Sequence, residues 1–175
     1  NNGNRLPENA SDWSCVHDSL TGLIWETKTD DGGLRDAKHT YTWYDSDVSP
    51  NISPPYIDPR TNLPGGRAPN GGDCLDNTNC DTEKYISQVN ATNLCGASDW
   101  RMPDPYELQD LARGFSFGAP WFQFHYFNGV REHYWSGSHS TDILFNNDFA
   151  EYECDQTYVC SNPMRTKKKV MAVRK

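Results

Sequence analysis

Residues 99–108 read Asp99-Trp100-Arg101-Met102-Pro103-Asp104-Pro105-Tyr106-Glu107-Leu108, and they contain the full set of signals for a helix start. Asp104 suits the N-cap, where its carboxylate accepts from an amide of the first turn. Pro105 fits the first helical position, where its missing N–H costs nothing. Glu107 stands three residues past the cap, the spacing at which its carboxylate can bond back to the cap amide. Leu108, Leu111 and Ala112 then recur at helical period. Ahead of this helix Trp100 is expected to be buried, Arg101 to pair with an acid, and Pro103 to end an extended segment.

Working upstream, Asp81 or Thr82 can cap another helix, with Glu83 in its first turn. Tyr85, Ile86, Val89, Asn90 and Leu94 carry its period, and Cys95-Gly96 closes it with glycine as the stop. Residues 18–22 read as a turn leading into a strand at 23–26, and a second strand is expected at 40–44. Downstream, strands are expected at 134–138, 143–152 and 169–174. Strands at both ends and two helices between them make a single α+β domain over residues 1–175. Residues 45–81 are rich in Pro, Gly, Asn and Asp, and read as a long irregular loop insert.

Composition limits what such a domain can do. The chain has 175 residues, enough to bury roughly 70% of its unfolded surface in one core. Only 35% of them are hydrophobic, and mean hydropathy is -0.84, so no stretch has the apolar length of a membrane span. Such a chain with a net charge of -8 would stay unfolded but for its 13% aromatic residues, which therefore supply the core. The excess of 24 acids over 16 bases argues against nucleic acid as a partner. The one basic cluster, Lys167, Lys168 and Lys169 with Arg165 and Arg174, reads as a solvated strand edge that blocks sheet pairing.

Six cysteines lie at 15, 74, 80, 95, 154 and 160 with no Cys-x-x-Cys pair, so a disulfide framework is preferred to a zinc or redox site. Cys74 with Cys80 and Cys154 with Cys160 would each close a short polar loop. Cys15 with Cys95 is then the long-range link. Disulfides persist outside the reducing cytosol, which implies an exported or cell-surface protein. The chain begins Asn1-Asn2-Gly3-Asn4, so an export signal or an upstream region is expected to have been removed.

No catalytic constellation stands out, and no enzymatic role is expected. The even cysteine count leaves no nucleophilic thiol, Ser136-Gly137-Ser138 only loosely resembles a nucleophile elbow, and the spacing of His125, His133 and His139 matches no metal template. Hard oxygen ligands gather at Asp30, Asp31 and Asp36, at Asp73, Asp76, Asn77, Asn79 and Asp81, and at Asp142, Asn146, Asn147 and Asp148. From these, a structural calcium on Asp30, Asp31, Asp36, Asp142 and Asp148 is the one cofactor expected. The ring-dense stretch of residues 115–127 either packs the core or exposes rings as a ligand platform.

Several motifs in fixed order carry a resemblance. They are Trp13-x-Cys15-Val16 with Thr21-Gly22-Leu23-Ile24-Trp25-Glu26, His39-x-Tyr41-x-Trp43-Tyr44, Cys80-x-Thr82-x-x-Tyr85, Leu94-Cys95-Gly96, Asp99-Trp100-Arg101-Met102-Pro103, Tyr134-Trp135-Ser136-x-Ser138 and the closing Val173-Arg174. Together they resemble the Lcl C-terminal domain of bacterial collagen-like adhesins and other exported proteins; Met102 stands where that family usually has Leu. The resemblance implies a C-type-lectin-like fold with small antiparallel sheets and long disulfide-stapled loops. It also implies an extracellular recognition or adhesion role, display as a homotrimer or on a fibre, and no established catalytic residues. Sulfated-glycan ligands known for some members would need a basic surface, which the charge of -8 opposes. The calcium signatures of true C-type lectins are absent, so calcium-mediated sugar binding is not implied.

The function expected is recognition of a surface glycan or protein through the later loops, with Trp121, Phe122, Tyr126, His139, Asp142 and Asn147 as ligand-binding residues. The rival readings are a structural subunit of a surface fibre or pilus and an exported hydrolase.

Overall fold

The computed structural model describes residues 3–7, 10, 12–47, 57–58, 63–64, 70–116, 133–137, 142–145, 150–152 and 167–175. In chain order the elements are β1 (Cys15–His17), β2 (Ile24–Glu26), β3 (Ile57–Asp58), β4 (Leu63–Pro64), α1 (Thr82–Ala91), α2 (Pro105–Ser116), β5 (His133–Trp135), β6 (Asp142–Phe145), β7 (Ala150–Tyr152) and β8 (Val173–Arg174). They form an α+β arrangement with antiparallel sheets in the orders β1-β2-β8, β3-β4 and β5-β6-β7.

The β1-β2 hairpin closes through the expected turn. Asp18 accepts from the amides of Leu20 and Gly22 and from the Thr21 hydroxyl, and Gly22 takes φ 74°, which a side chain would resist. The apolar run Val170-Met171-Ala172-Val173 is fully buried and stitches the molecule together. Lys168 bridges to Tyr41, Lys169 to Tyr134, and Val173 to Arg101, while β8 pairs with β2.

Rings fill the core, as the composition implies. Trp25, Trp43, Trp100 and Trp135 are buried with Tyr41, Tyr85, Val89 and Leu94. Three of the indole N–H groups find carbonyl partners: Trp43 donates to Ser136, Trp100 to Leu94 and Trp135 to Tyr41. A buried ring thus contributes its apolar area without stranding its one polar atom.

The α2 start matches its sequence. The Glu107 amide donates to Asp104 at 2.8 Å and the Asp104 amide to Glu107 at 2.8 Å, while Arg101 forks onto Glu107 through Nη1 at 2.7 Å and Nη2 at 2.6 Å. Trp100 is buried, as expected. Disulfides join Cys15 to Cys95 and Cys74 to Cys80; Cys154 and Cys160 lie outside the described residues.

Other expectations need correction. The first helix stops at Ala91, because Asn93 adopts the left-handed conformation that ends helices and a short 3-10 turn, Leu94–Gly96, follows it. Segment 40–44 is no ladder strand: Thr40, Tyr41 and Thr42 bridge to three different segments, at Asp73, Lys168 and Asp81. Residues 45–81 are not wholly irregular, since they contain the β3-β4 pair and the bridges at Asp73 and Asp81. Here Gly72 is required by close approach, as a Cβ would lie 2.2 Å from the Thr40 carbonyl oxygen. The expected strand over 143–152 is a hairpin of two, β6 and β7. The lysine cluster is not a solvated edge either: Lys168 and Lys169 are buried, and Lys168 lies 5.4 Å from the Trp135 ring centroid. Their place beside an apolar run that must enter the core carries both inside, and a ring face receives one cation.

Candidate functional site

Two regions of charged residues meet around the β2-α1 junction, and they differ in depth. The inner one begins with Glu26, at the end of β2, which is fully buried. Tyr85 of α1 donates its hydroxyl to both carboxylate oxygens, at 2.6 and 2.7 Å. Lys28, whose side chain is 7% exposed, pairs with Glu26 and donates to the Tyr85 hydroxyl at 2.6 Å. Its Nζ also lies 4.3 Å from the Tyr85 ring centroid, and the Tyr41 ring packs tilted on Tyr85 at 4.8 Å. Burial pulls the Lys28 ammonium below its ordinary pKa, against the opposing pull of Glu26. Burial and the adjacent Glu26 carboxylate push the Tyr85 and Tyr41 hydroxyls well above theirs. Glu26, Lys28 and Tyr85 thus partner one another, while the Tyr41 hydroxyl donates to the Leu34 carbonyl at 3.3 Å.

The outer region is the turn-rich segment 29–39. Asp31 accepts from the Thr29 hydroxyl and the Gly33 amide, each at 2.8 Å. Asp36 accepts from the amides of Gly32 at 2.7 Å and Lys38 at 2.8 Å. Backbone amides hold both carboxyls below the ordinary aspartate range, the Gly33 amide most at Asp31 and the Lys38 amide most at Asp36. Asp30 pairs with Lys38 on the surface. A similar turn ties Asp76 to Thr78 and Asn79 inside the Cys74–Cys80 loop.

Between the outer segment and the end of α1 lies a cleft of about 170 Å³ lined by Thr29, Asp31, Leu34, Arg35, Thr92 and Leu94. Arg35 reaches from its turn to the ends of the β1-β2 hairpin: its Nη1 donates to the carbonyls of Ser14 at 3.1 Å and Thr27 at 2.8 Å, so the guanidinium plane is fixed. The Cys15–Cys95 disulfide ties β1 to the residue that follows Leu94 on the opposite wall.

The expected site residues divide unevenly. Trp121, Phe122, Tyr126, His139, Asn147 and Asp148 lie outside the described residues. Asp142 begins β6, paired opposite Trp135. Asp30, Asp31 and Asp36 do gather in one segment, with their carboxylates engaged as described. Among the described residues no group of three or more His, Cys, Asp or Glu is placed to hold a metal ion. The cleft residues Leu34, Arg35 and Thr92 were not singled out by sequence. The available signal was an arginine set between an Asp-Gly-Gly turn and an aromatic run, a place where its stem can lie on the core and its head remain in a turn.

The Lcl C-terminal domain family model matches residues 14–174. No curated protein and no solved structure matches the chain. Among the described residues no helix is long and apolar enough to cross a membrane.

Proposed function

Since the chain belongs to the Lcl C-terminal domain family, we propose that it is an extracellular or cell-surface adhesion module, C-type-lectin-like in architecture, that binds a glycan or protein through its loops. The observation that carries this reading is the clamping of irregular segments onto a buried ring core. Cys15–Cys95 fixes one wall of the cleft, Cys74–Cys80 fixes the loop before α1, and the Asp31 and Asp36 turns hold residues 29–39 in shape. Loops ordered before binding lose less entropy when a ligand arrives, which favours a recognition surface over a merely structural one. Disulfides at two such places also suit an oxidising compartment.

The proposal assigns no catalytic residue. It retains a structural calcium ion as an additive to be tested, and display as a homotrimer as a property of the assembled protein. The test is a screen of the native protein against arrayed glycans and cell-surface proteins, in calcium and with a chelator. Saturable binding to one class, lost on disulfide reduction, is the expected result. A protein that binds nothing on either array yet forms a stable trimer overturns the reading in favour of a fibre subunit. Calcium that leaves the melting temperature unchanged at millimolar concentration removes the metal.

A further inference from the structure

Resting on that recognition reading, we propose that the cleft between segment 29–36 and the end of α1 is a subsite for one neutral, hydroxyl-rich sugar ring. Its size sets the first limit. At about 170 Å³ it is smaller than the pockets that enclose drug-sized ligands and suits a single ring.

Its chemistry sets the second. With Nη1 spent on Ser14 and Thr27, Arg35 keeps Nη2 and Nε as remaining donors in a fixed plane. Asp31 brings carboxylate oxygens, held by the Thr29 hydroxyl and the Gly33 amide. Planar donors and a charged acceptor in one lining offer partners to the hydroxyls of a ring, each of which donates one bond and accepts others. Leu34 and Leu94 add apolar wall for the C–H face of a ring.

The charge balance decides against the alternatives. Thr92, on the rim, is the C-cap of α1, whose last turn has no basic residue, so the lining sets the negative end of that helix and Asp31 against one cation, Arg35. An anionic ligand would meet that end and Asp31 together, while a cationic one would meet Arg35. A neutral polyol meets neither penalty.

The test is titration of the isotope-labelled full chain with methyl glycosides of neutral hexoses, followed through the amides of residues 29–36 and 92–94. Saturating shifts confined to these amides are expected, with a dissociation constant on the order of millimolar. A methyl uronide of the same ring should bind at least about tenfold more weakly. Thr92→Trp tests position: Thr92 is exposed with helical backbone angles, so the indole can enter the cleft without backbone strain. It should weaken the hexose at least about tenfold. Asp31→Asn keeps an acceptor for the turn while removing the charge, and should also weaken binding if the tryptophan variant fails to fold. Absence of saturable shifts, or shifts unchanged in both variants, overturns the subsite. If arrayed glycans bind wild type and Thr92→Trp alike, the subsite falls and the adhesion reading stands. Hexose binding in the cleft by a protein that captures nothing on the arrays supports the subsite and defeats the adhesion reading.

Discussion

Glu26 and Asp31 are carboxylates a few residues apart, yet the protein treats them in opposite ways. Glu26 is sealed inside, with a lysine and a tyrosine hydroxyl as partners. Asp31 is exposed and satisfied by a neighbouring amide and hydroxyl. Cys15–Cys95 ties β1, which pairs with the strand of Glu26, to the turn after α1, and Cys74–Cys80 closes a loop built on Asp76, a carboxylate held by its own turn as Asp31 is. The inner region joins segments distant in sequence, Glu26 and Lys28 to Tyr85. The outer region shapes local turns and presents surface.

If that division is right, the two disulfides are unequal. Cys15–Cys95 spans a sequence separation of 80 and Cys74–Cys80 one of 6. The chain-entropy model gives about 4–5 kcal/mol for the first and about 2 kcal/mol for the second. Denaturant unfolding of Cys15→Ala/Cys95→Ala and Cys74→Ala/Cys80→Ala should therefore show the larger loss in the first pair. Equal losses would break the comparison.

The next effect is that of Glu26→Gln, which leaves the Lys28 ammonium buried without its counter-ion. Removing one partner of a buried pair costs about 3–5 kcal/mol, which for a chain of this size lowers the melting temperature by on the order of 10 °C. Adding Lys28→Met should recover much of the loss, because the pair itself is not the source of stability; its desolvated remnant is the source of damage. Tyr85 gives the same cluster a signature in alkali. Its pKa is raised in the folded state, so the stability it contributes is complete below about pH 10 and is lost as pH rises beyond that. Lys28 acts in the other sense: its folded pKa is lowered, so stability climbs as pH approaches the unfolded lysine value of about 10.4. Wild-type stability should therefore rise toward pH 10 and fall above it. Tyr85→Phe should flatten the fall, read as melting temperature against pH.

Much of the outer frame was legible in sequence because its signals are local. The Asp104 and Glu107 capping box, the Asp18 turn and the short Cys74–Cys80 loop each need only neighbours a few residues away. The inner cluster was not, because Glu26 and Lys28 look like ordinary surface charges until Tyr85, far along the chain, is brought to them. The same failure hid Lys168 and Lys169, which a charge count puts in water and the apolar run 170–173 draws into the core. It also hid the cleft, whose lining brings Arg35 and Thr92 together from distant parts of the chain.

The smallest effect belongs to the rim, and it should appear in acid. Backbone amides and hydroxyls hold Asp31, Asp36 and Asp76 below the ordinary aspartate pKa, and Arg174 does the same for Asp99. A folded pKa below the unfolded one means that the folded state gives up its proton earlier. The stability these groups contribute is thus present above about pH 4 and is lost as pH falls below it. Asp31→Asn and Asp76→Asn keep an oxygen for the turn bonds but cannot titrate. Each should therefore flatten the acid limb of melting temperature against pH while leaving the alkaline limb of Tyr85 unchanged. An alkaline limb that moved with either substitution would mean that rim and interior titrate as one network. The exposed turns would then lie inside the cooperative unit that Glu26, Lys28 and Tyr85 define.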